Sequence, residues 1–508
     1  MTQSIGGRRS GRVELVCDEP WVTPAAGLVT VAELDRVVGI SATIDAMVGP
    51  LALAGARGRP YGAADVVVGW AESQLAGGDF MVDIDARRAD VAGAVLRAVA
   101  NPPASTTAAM LARRFGGKGL LRLERAVGMI ARRSYSLLPE CERARLAAMR
   151  PTLDVDPTEV ECYGKKKRGF AWNYQGQWAA RPCPVVWAEA GLVLTGKLLQ
   201  GNQDPRPPAR RLVRKALEAL PDGLGPAKFR YDSGFFDGKL ARACLEEGAD
   251  YAMAVPRNKG FWRAVRAIPV DGWEPARGME GAEIAEASYC PKGWPGTPRA
   301  IVRRVRVEAA DIKTDPRSRR LRTIDKEELR AVREQRADHA YSYSMILTSL
   351  DEDMVSVEWW FRRRAQIEER LKDSKHGAAL RHLPSGYKVV NGVWMWSAFL
   401  ALNISATLCA FARPPGEIGL NDDTASADIA DVTGGVVDDP EAGTTSRRRR
   451  APALRAHGKR LRREIINVPG RLARHARTLT VHIHPSHADG PLVRVYRALR
   501  VLPSFAGP

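Results

Sequence analysis

At 508 residues and a formal net charge of +19, the chain is too long for one ordinary domain; about 150 residues per domain predicts roughly three. Its 45% hydrophobic and 27% charged residues support a sizeable core and exclude disorder of the whole chain. The excess of 77 Lys and Arg over 58 Asp and Glu fits an anionic partner, nucleic acid or an acidic membrane surface, and equally a basic soluble enzyme.

Residues 1–27 are Gly-rich and polar and are predicted to be flexible. Arg8, Arg9 and Arg12 precede no apolar run, so no secretory signal is expected. The seven cysteines are scattered and form no CxxC pair, which excludes a disulfide framework or a structural zinc finger and predicts a reduced, cytoplasmic setting. Residues 28–150 read as helical and form the candidate DNA-binding domain. Around Gly116, Gly117 and Gly119, with Arg113, Arg114, Arg122 and Arg125 nearby, the pattern suits a helix-turn-helix or a plain bundle.

From Pro151 the texture turns to strands: Thr152–Val155, the aromatic alternation Phe170, Trp172, Tyr174, and Pro184–Ala190. A helix near Leu212–Leu220, a strand at Phe229–Tyr231, a helix at Lys239–Glu247 and a strand at Tyr251–Val255 follow. That order predicts an α/β fold with a mixed central sheet over residues 151–412. Residues 256–343 break the rhythm and read as a β-rich insertion. A helix is predicted from about Val357 to Lys375. The uncharged run Val389–Ala412 is long enough to cross a bilayer, but with Asn391, Ser397, Asn403 and Ser405 it is read as a buried core helix, not a membrane span. Residues 413–446 form an acidic linker of disordered composition, and residues 447–508 a basic, helical C-terminal region.

Three contexts carry chemistry. Asp154 and Asp156 stand two apart and would share one face of a strand. Asp232 sits where a strand gives way to a Gly-containing turn, a common site of function in open α/β sheets. Phe361, Arg364, Glu368 and Lys375 fall at about 0°, 300°, 340° and 320° on a helical wheel, hence on one stripe. A carboxylate flanked by two cations suits a phosphate-bearing substrate with a metal. Each feature also has a plain reading: a solvated strand Asp, a helix N-cap, an i,i+4 ion pair. His482, His484 and His487 have no partner Cys and are not expected to hold a metal.

Taken together, these blocks resemble the DDE transposases of insertion sequences, specifically the IS1380 family within the IS4-like group. The resemblance is carried by Leu153-Asp154-Val155-Asp156-Pro157-Thr158, by Val160-Glu161-Cys162-Tyr163-Gly164 with Lys167, and by Ala171-Trp172-Asn173-Tyr174-Gln175-Gly176. It continues through Tyr231-Asp232-Ser233-Gly234-Phe235, then Trp360-Phe361-Arg362-Arg363-Arg364 to Glu368 and Lys375, and Leu380-Arg381-His382-Leu383-Pro384-Ser385. The spacing Phe361, Arg364, Glu368, Lys375 matches the group's Tyr-Arg-Glu-Lys signature, with Phe in place of Tyr and so no hydroxyl for a phosphate.

The resemblance implies an RNase H-like catalytic core interrupted by the β-rich insertion. It implies a metal-binding triad of Asp156, Asp232 and Glu368, with Asp154 the alternative first ligand, holding two Mg²⁺ ions, or Mn²⁺ as a substitute. The implied partners are terminal inverted repeats and target DNA, engaged by a homodimer in a synaptic complex; no small-molecule cofactor is expected. Phe361, Arg364, Lys375 and the cluster Lys165, Lys166, Lys167 and Arg168 are the candidate DNA contacts. Arg303, Arg304, Arg319, Arg320 and Arg322 of the insertion are further candidates. Trp262, Trp273 and Trp294 are read first as core residues and second as rings that stack a flipped base.

Overall fold

The computed structural model describes residues 16–51, 60–312, 319–364, 377–413 and 458–507. Helices open the chain: α1 (Val29–Val38), α2 (Ile40–Val48), α3 (Ala63–Leu75), α4 (Ser105–Arg113) and α5 (Gly116–Leu137). Only Arg114 and Phe115 separate α4 from α5, and Gly116 takes φ +55 at the junction. The apolar positions Leu123, Ala126, Val127, Ile130 and Ala131 recur at helical spacing on α5 and are all buried. They pack against α2, the central sheet and a later helix. Of the two readings of this region, the structure shows the bundle: α5 is a core helix.

Glu72 is buried within α3, where it accepts hydrogen bonds from the backbone N–H of Ala98 (2.8 Å) and Val99 (3.4 Å). Burial pushes its carboxyl up to about 8, against the pull of those N–H groups and of Arg97. The folded chain therefore keeps a proton that the unfolded chain releases between about pH 4.5 and 8, so stability falls as pH rises through that window and levels off above it. Glu72→Gln is expected to flatten this dependence. Melting temperatures of the two proteins at pH 5 and pH 8 check it; equal slopes would refute it.

The sheet follows as β1 (Thr152–Val155), β2 (Trp178–Trp187), β3 (Leu192–Gln200), α6 (Arg206–Ala219), β4 (Lys228–Tyr231), α7 (Gly238–Glu246), β5 (Asp250–Ala254) and α8 (Lys259–Arg266). Within the sheet these strands run in the order β3-β2-β1-β4-β5. The β1–β2 and β2–β3 pairs are antiparallel; β1–β4 and β4–β5 are parallel, with Val155 opposite Tyr231 and Tyr231 opposite Met253. The parallel strands β1 and β4 are almost wholly buried, their charged residues Asp154 and Arg230 included.

The segment read as an insertion is a continuation of this sheet. After β5 come β6 (Ala282–Ala287), β7 (Arg299–Glu308), α9 (Lys326–Arg333) and β8 (His339–Thr348). β8 pairs antiparallel with β5, β7 with β8 and β6 with β7, giving an 11-stranded sheet with the shorter strands included. The Trp residues here are structural. The Nε1–H of Trp294, 9% exposed, donates to Tyr251 Oη at 2.7 Å, and Trp262 and Trp273 pack on Tyr343.

α10 (Met354–Arg362) closes over the sheet, and α11 (Lys388–Ala412) runs through the centre of the molecule. Its apolar window is 89% buried inside the protein, against α3, α5 and β3. Its two asparagines have partners: Asn403 accepts from the N–H of Val193 and donates to the same residue's carbonyl, pinning α11 to β3, while Asn391 does the same with Ser385. The acidic linker lies outside the described residues.

The C-terminal region departs from the all-helical expectation. Before α12 (Pro491–Arg500) it forms a hairpin, β9 (Gly470–His475) with β10 (Thr478–Ile483). β9 also pairs with Val22–Thr23, so part of the stretch predicted to be flexible forms a strand. Gly27 lies so close to Ile465 O that any Cβ would collide with it. Arg36 reinforces this closure by donating to the carbonyls of Leu499 and Leu502. One apolar cluster runs from Ala25 through the sheet to Leu499, so the predicted N- and C-terminal units share a core with residues 151–412.

Candidate active site

The parallel register of β1 and β4 decides the geometry. Val155 and Tyr231 are the last residues of their strands and lie opposite one another, so the next residues, Asp156 and Asp232, leave the carboxyl edge side by side. Neighbouring strands are about 4.8 Å apart, which brings the two carboxylates within reach of a shared ligand. Both are partly exposed. Asp232 is fixed by the turn that follows, its Oδ1 accepting from the N–H of Gly234 at 2.9 Å.

Cys183 on β2 reports the field these residues create. Its thiol lies far above its usual range, first through complete burial and then through the negative charges of Asp156 and Asp232. Two carboxylates with hard oxygen donors, facing outward on one edge, suit a divalent cation such as Mg²⁺ or Mn²⁺. Among the described residues no group of three His, Cys, Asp or Glu forms a metal site. The expected third donor, Glu368, lies outside the described residues, as does Lys375.

Asp154 has a different task. It is 1% exposed, and Arg230 on β4 grips both its oxygens at 2.7 Å. The same guanidinium donates to Trp360 O at the end of α10, and Trp360 Nε1–H donates to Thr152 Oγ1 at 2.9 Å. With both oxygens bound and no access to solvent, Asp154 cannot serve as the alternative metal ligand without dismantling a buried ion pair. That correction follows from Arg230, whose position opposite Asp154 only the parallel register reveals.

The strut from Asp154 through Arg230 to Trp360 sets where the chain leaves α10. Two residues past the helix, Arg364 reaches Asp156, with Nη2 at 3.3 Å from Oδ2. The described helix ends at Arg362, so Phe361 and Arg364 do not share the stripe expected of one longer helix. Phe361 instead packs on the apolar cluster of Ile301, Ile346, Leu350 and Val357, which corrects its reading as a DNA contact.

The basic cluster at 165–168 lies in the loop that leaves β1 beyond Asp156. Lys167 Nζ donates to Leu383 O at 3.1 Å, and Arg168 N–H to Gly386 O, so the loop is tied to the segment before α11. Lys165, Lys166 and Arg168 are exposed. Within the aromatic alternation read as a strand, Ala171–Trp172 forms a short strand against β2, while Tyr174 beyond it and Tyr163 before it are 81% and 90% exposed. Arg303 and Arg304 are engaged internally, with Glu358 and Glu283 respectively, and Arg304 also stacks on Trp273. The side chains of Arg319 and Arg320 lie outside the description. His482 and His484 are exposed, and His484 bonds to Ser486.

Residues 8–417 match the transposase DDE domain, group 1. The chain belongs to the DDE transposases. Among solved structures, this transposase resembles the cryo-EM structure of the piggyBac transposase synaptic complex with hairpin DNA, at 12% identity and a TM-score of 0.34, over 82% of this chain and 87% of that one. Among curated protein sequences, none matches it.

Proposed function

We propose that this DDE transposase is the cut-and-paste enzyme of an insertion sequence of the IS1380 family, which binds terminal inverted repeats and catalyses strand cleavage and strand transfer. The observation that carries the reading is the side-by-side exit of Asp156 and Asp232 from adjacent parallel strands. The order β3-β2-β1-β4-β5, with the first three antiparallel and the rest parallel, supports an RNase H-like core.

In this reading Asp156, Asp232 and Glu368 hold two Mg²⁺ ions, with Mn²⁺ able to replace them. Bound divalent cations would supply Lewis-acid stabilisation of the attacking and leaving oxygens. Arg364, already beside Asp156, orients the scissile phosphate, with Lys375 as a second contact. Lys165, Lys166 and Arg168 grip flanking phosphodiesters, while Lys167 holds the loop in place. The active species is a homodimer that pairs two DNA ends in the bacterial cytoplasm.

The test is incubation of the full chain with duplexes bearing the repeats that flank its gene, in Mg²⁺. End-specific nicking followed by joining to a second duplex is the expected result. Sequence-independent nicking, or none, would overturn the reading.

A further inference from the structure

Beyond the candidate active site, an open cleft of about 950 Å³ lies between α8 and the segment leading into α9. Arg257, Lys259, Arg263, Arg266, Arg322 and Lys326 line it. Among the described residues only Arg266 has an acidic partner, Asp325 at 2.9 Å, with Glu327 further away at 3.8 Å. The other five cations stand in no ion pair among the described residues. Arg257 is held in place by donating from Nε and Nη2 to Tyr343 O, a neutral partner that leaves its charge uncompensated.

Like charges gathered in one concavity repel, and among the described residues only Asp325 and Glu327, both beside Arg266, offset that repulsion. Elsewhere in this chain arginines at the sheet are matched, as Arg303 is with Glu358 and Arg304 with Glu283. An unmatched cluster is suited to an external polyanion. Its placement narrows the choice. β5 runs parallel to β4, so Arg257 and the start of α8 follow β5 at the same edge where Asp232 follows β4. The cleft thus begins one strand away from the candidate catalytic pair. Its helix presents Lys259, Arg263 and Arg266 at i, i+4 and i+7, on one face. A row of cations facing a cleft matches a chain of regularly spaced phosphates better than a single small anion.

We propose that this cleft binds the phosphodiester backbone of DNA that continues past the reacting phosphate. The inference rests on the reading of this protein as one that acts on DNA, and it adds a binding surface to that reading.

The experiment measures binding of the full chain to a fluorescent mixed-sequence duplex across a range of KCl concentrations. Each phosphate contact contributes about 0.9 to the slope of log affinity against log salt. Lys259→Ala, Arg263→Ala, Arg322→Ala and Lys326→Ala combined are expected to lower that slope by about 3.6 and to weaken binding at low salt by at least about tenfold. All four side chains are exposed, so the melting temperature should hold. A control removes the same charge elsewhere, at Lys459, Arg474, Arg477 and Arg497, and should change the slope by less than one. Equal losses in both variants, or an unchanged slope in the first, would overturn the proposal. So would binding of polyglutamate that depends on the four cations while duplex binding does not. End cleavage is scored separately: its absence, with the slope effect intact, removes the transposition reading and leaves the cleft standing.

Discussion

Asp232→Asn is expected to abolish end cleavage, by about a thousandfold or more, while the melting temperature stays near that of the unaltered protein. Loss of a carboxylate that holds a catalytic cation removes several kcal/mol of transition-state stabilisation, and each 1.4 kcal/mol is about tenfold in rate. The fold should tolerate the change. Asp232 is partly exposed and its carboxylate accepts a hydrogen bond from Gly234 N–H, which an amide oxygen can also accept. Asp156→Asn should behave alike, because Asp156 occupies the equivalent place on the neighbouring strand. Cleavage and thermal denaturation measured on the same preparations separate loss of chemistry from loss of structure. Cleavage within tenfold of the parent in a folded Asp232→Asn protein would remove Asp232 from the site.

Arg230→Ala has the largest expected effect on stability. It strands the Asp154 carboxylate at 1% exposure, and breaking a buried pair from one side costs about 3–5 kcal/mol. It also releases Trp360 O and with it the end of α10, so Arg364 should lose its position beside Asp156. Replacing the pair together, Asp154→Leu with Arg230→Met, should recover most of the stability, since buried ion pairs are often no better than apolar residues of similar size. Denaturant unfolding of the three proteins checks this. A single variant within about 1 kcal/mol of the parent would show that the pair is not buried in solution.

Much of the core was legible. Strands at Thr152–Val155, Phe229–Tyr231 and Tyr251–Val255 and the helix at Lys239–Glu247 were placed to within a residue or so, because the strands are short, rich in aromatic and aliphatic residues and bounded by turns. The neighbourhood of Asp156 and Asp232 was legible only through family resemblance, since strand pairing across 76 residues leaves no local trace. The same blindness to distant pairing made residues 256–343 look like a separate unit when β8 in fact docks on β5. Asp154 illustrates the limit well: alternation puts it on the same face as Asp156, but the partner that claims it comes from another strand. The hairpin of β9 and β10 was hidden by its basic composition, with Arg471, Arg474 and Arg477 masking a thin apolar face at Leu472 and Val481. Phe361 was placed by wheel geometry on a helix that, as described, ends one residue later.

The central claim is that Asp156 and Asp232 together hold a divalent cation. Titration of the purified chain with Mn²⁺, followed by the loss of the free-ion electron paramagnetic resonance signal, tests it without requiring a DNA substrate. Saturable binding to the parent protein, abolished by Asp156→Asn and by Asp232→Asn and retained by a folded Asp154→Asn, is the predicted result. Undiminished binding in the first two variants, or its loss only in Asp154→Asn, would contradict it.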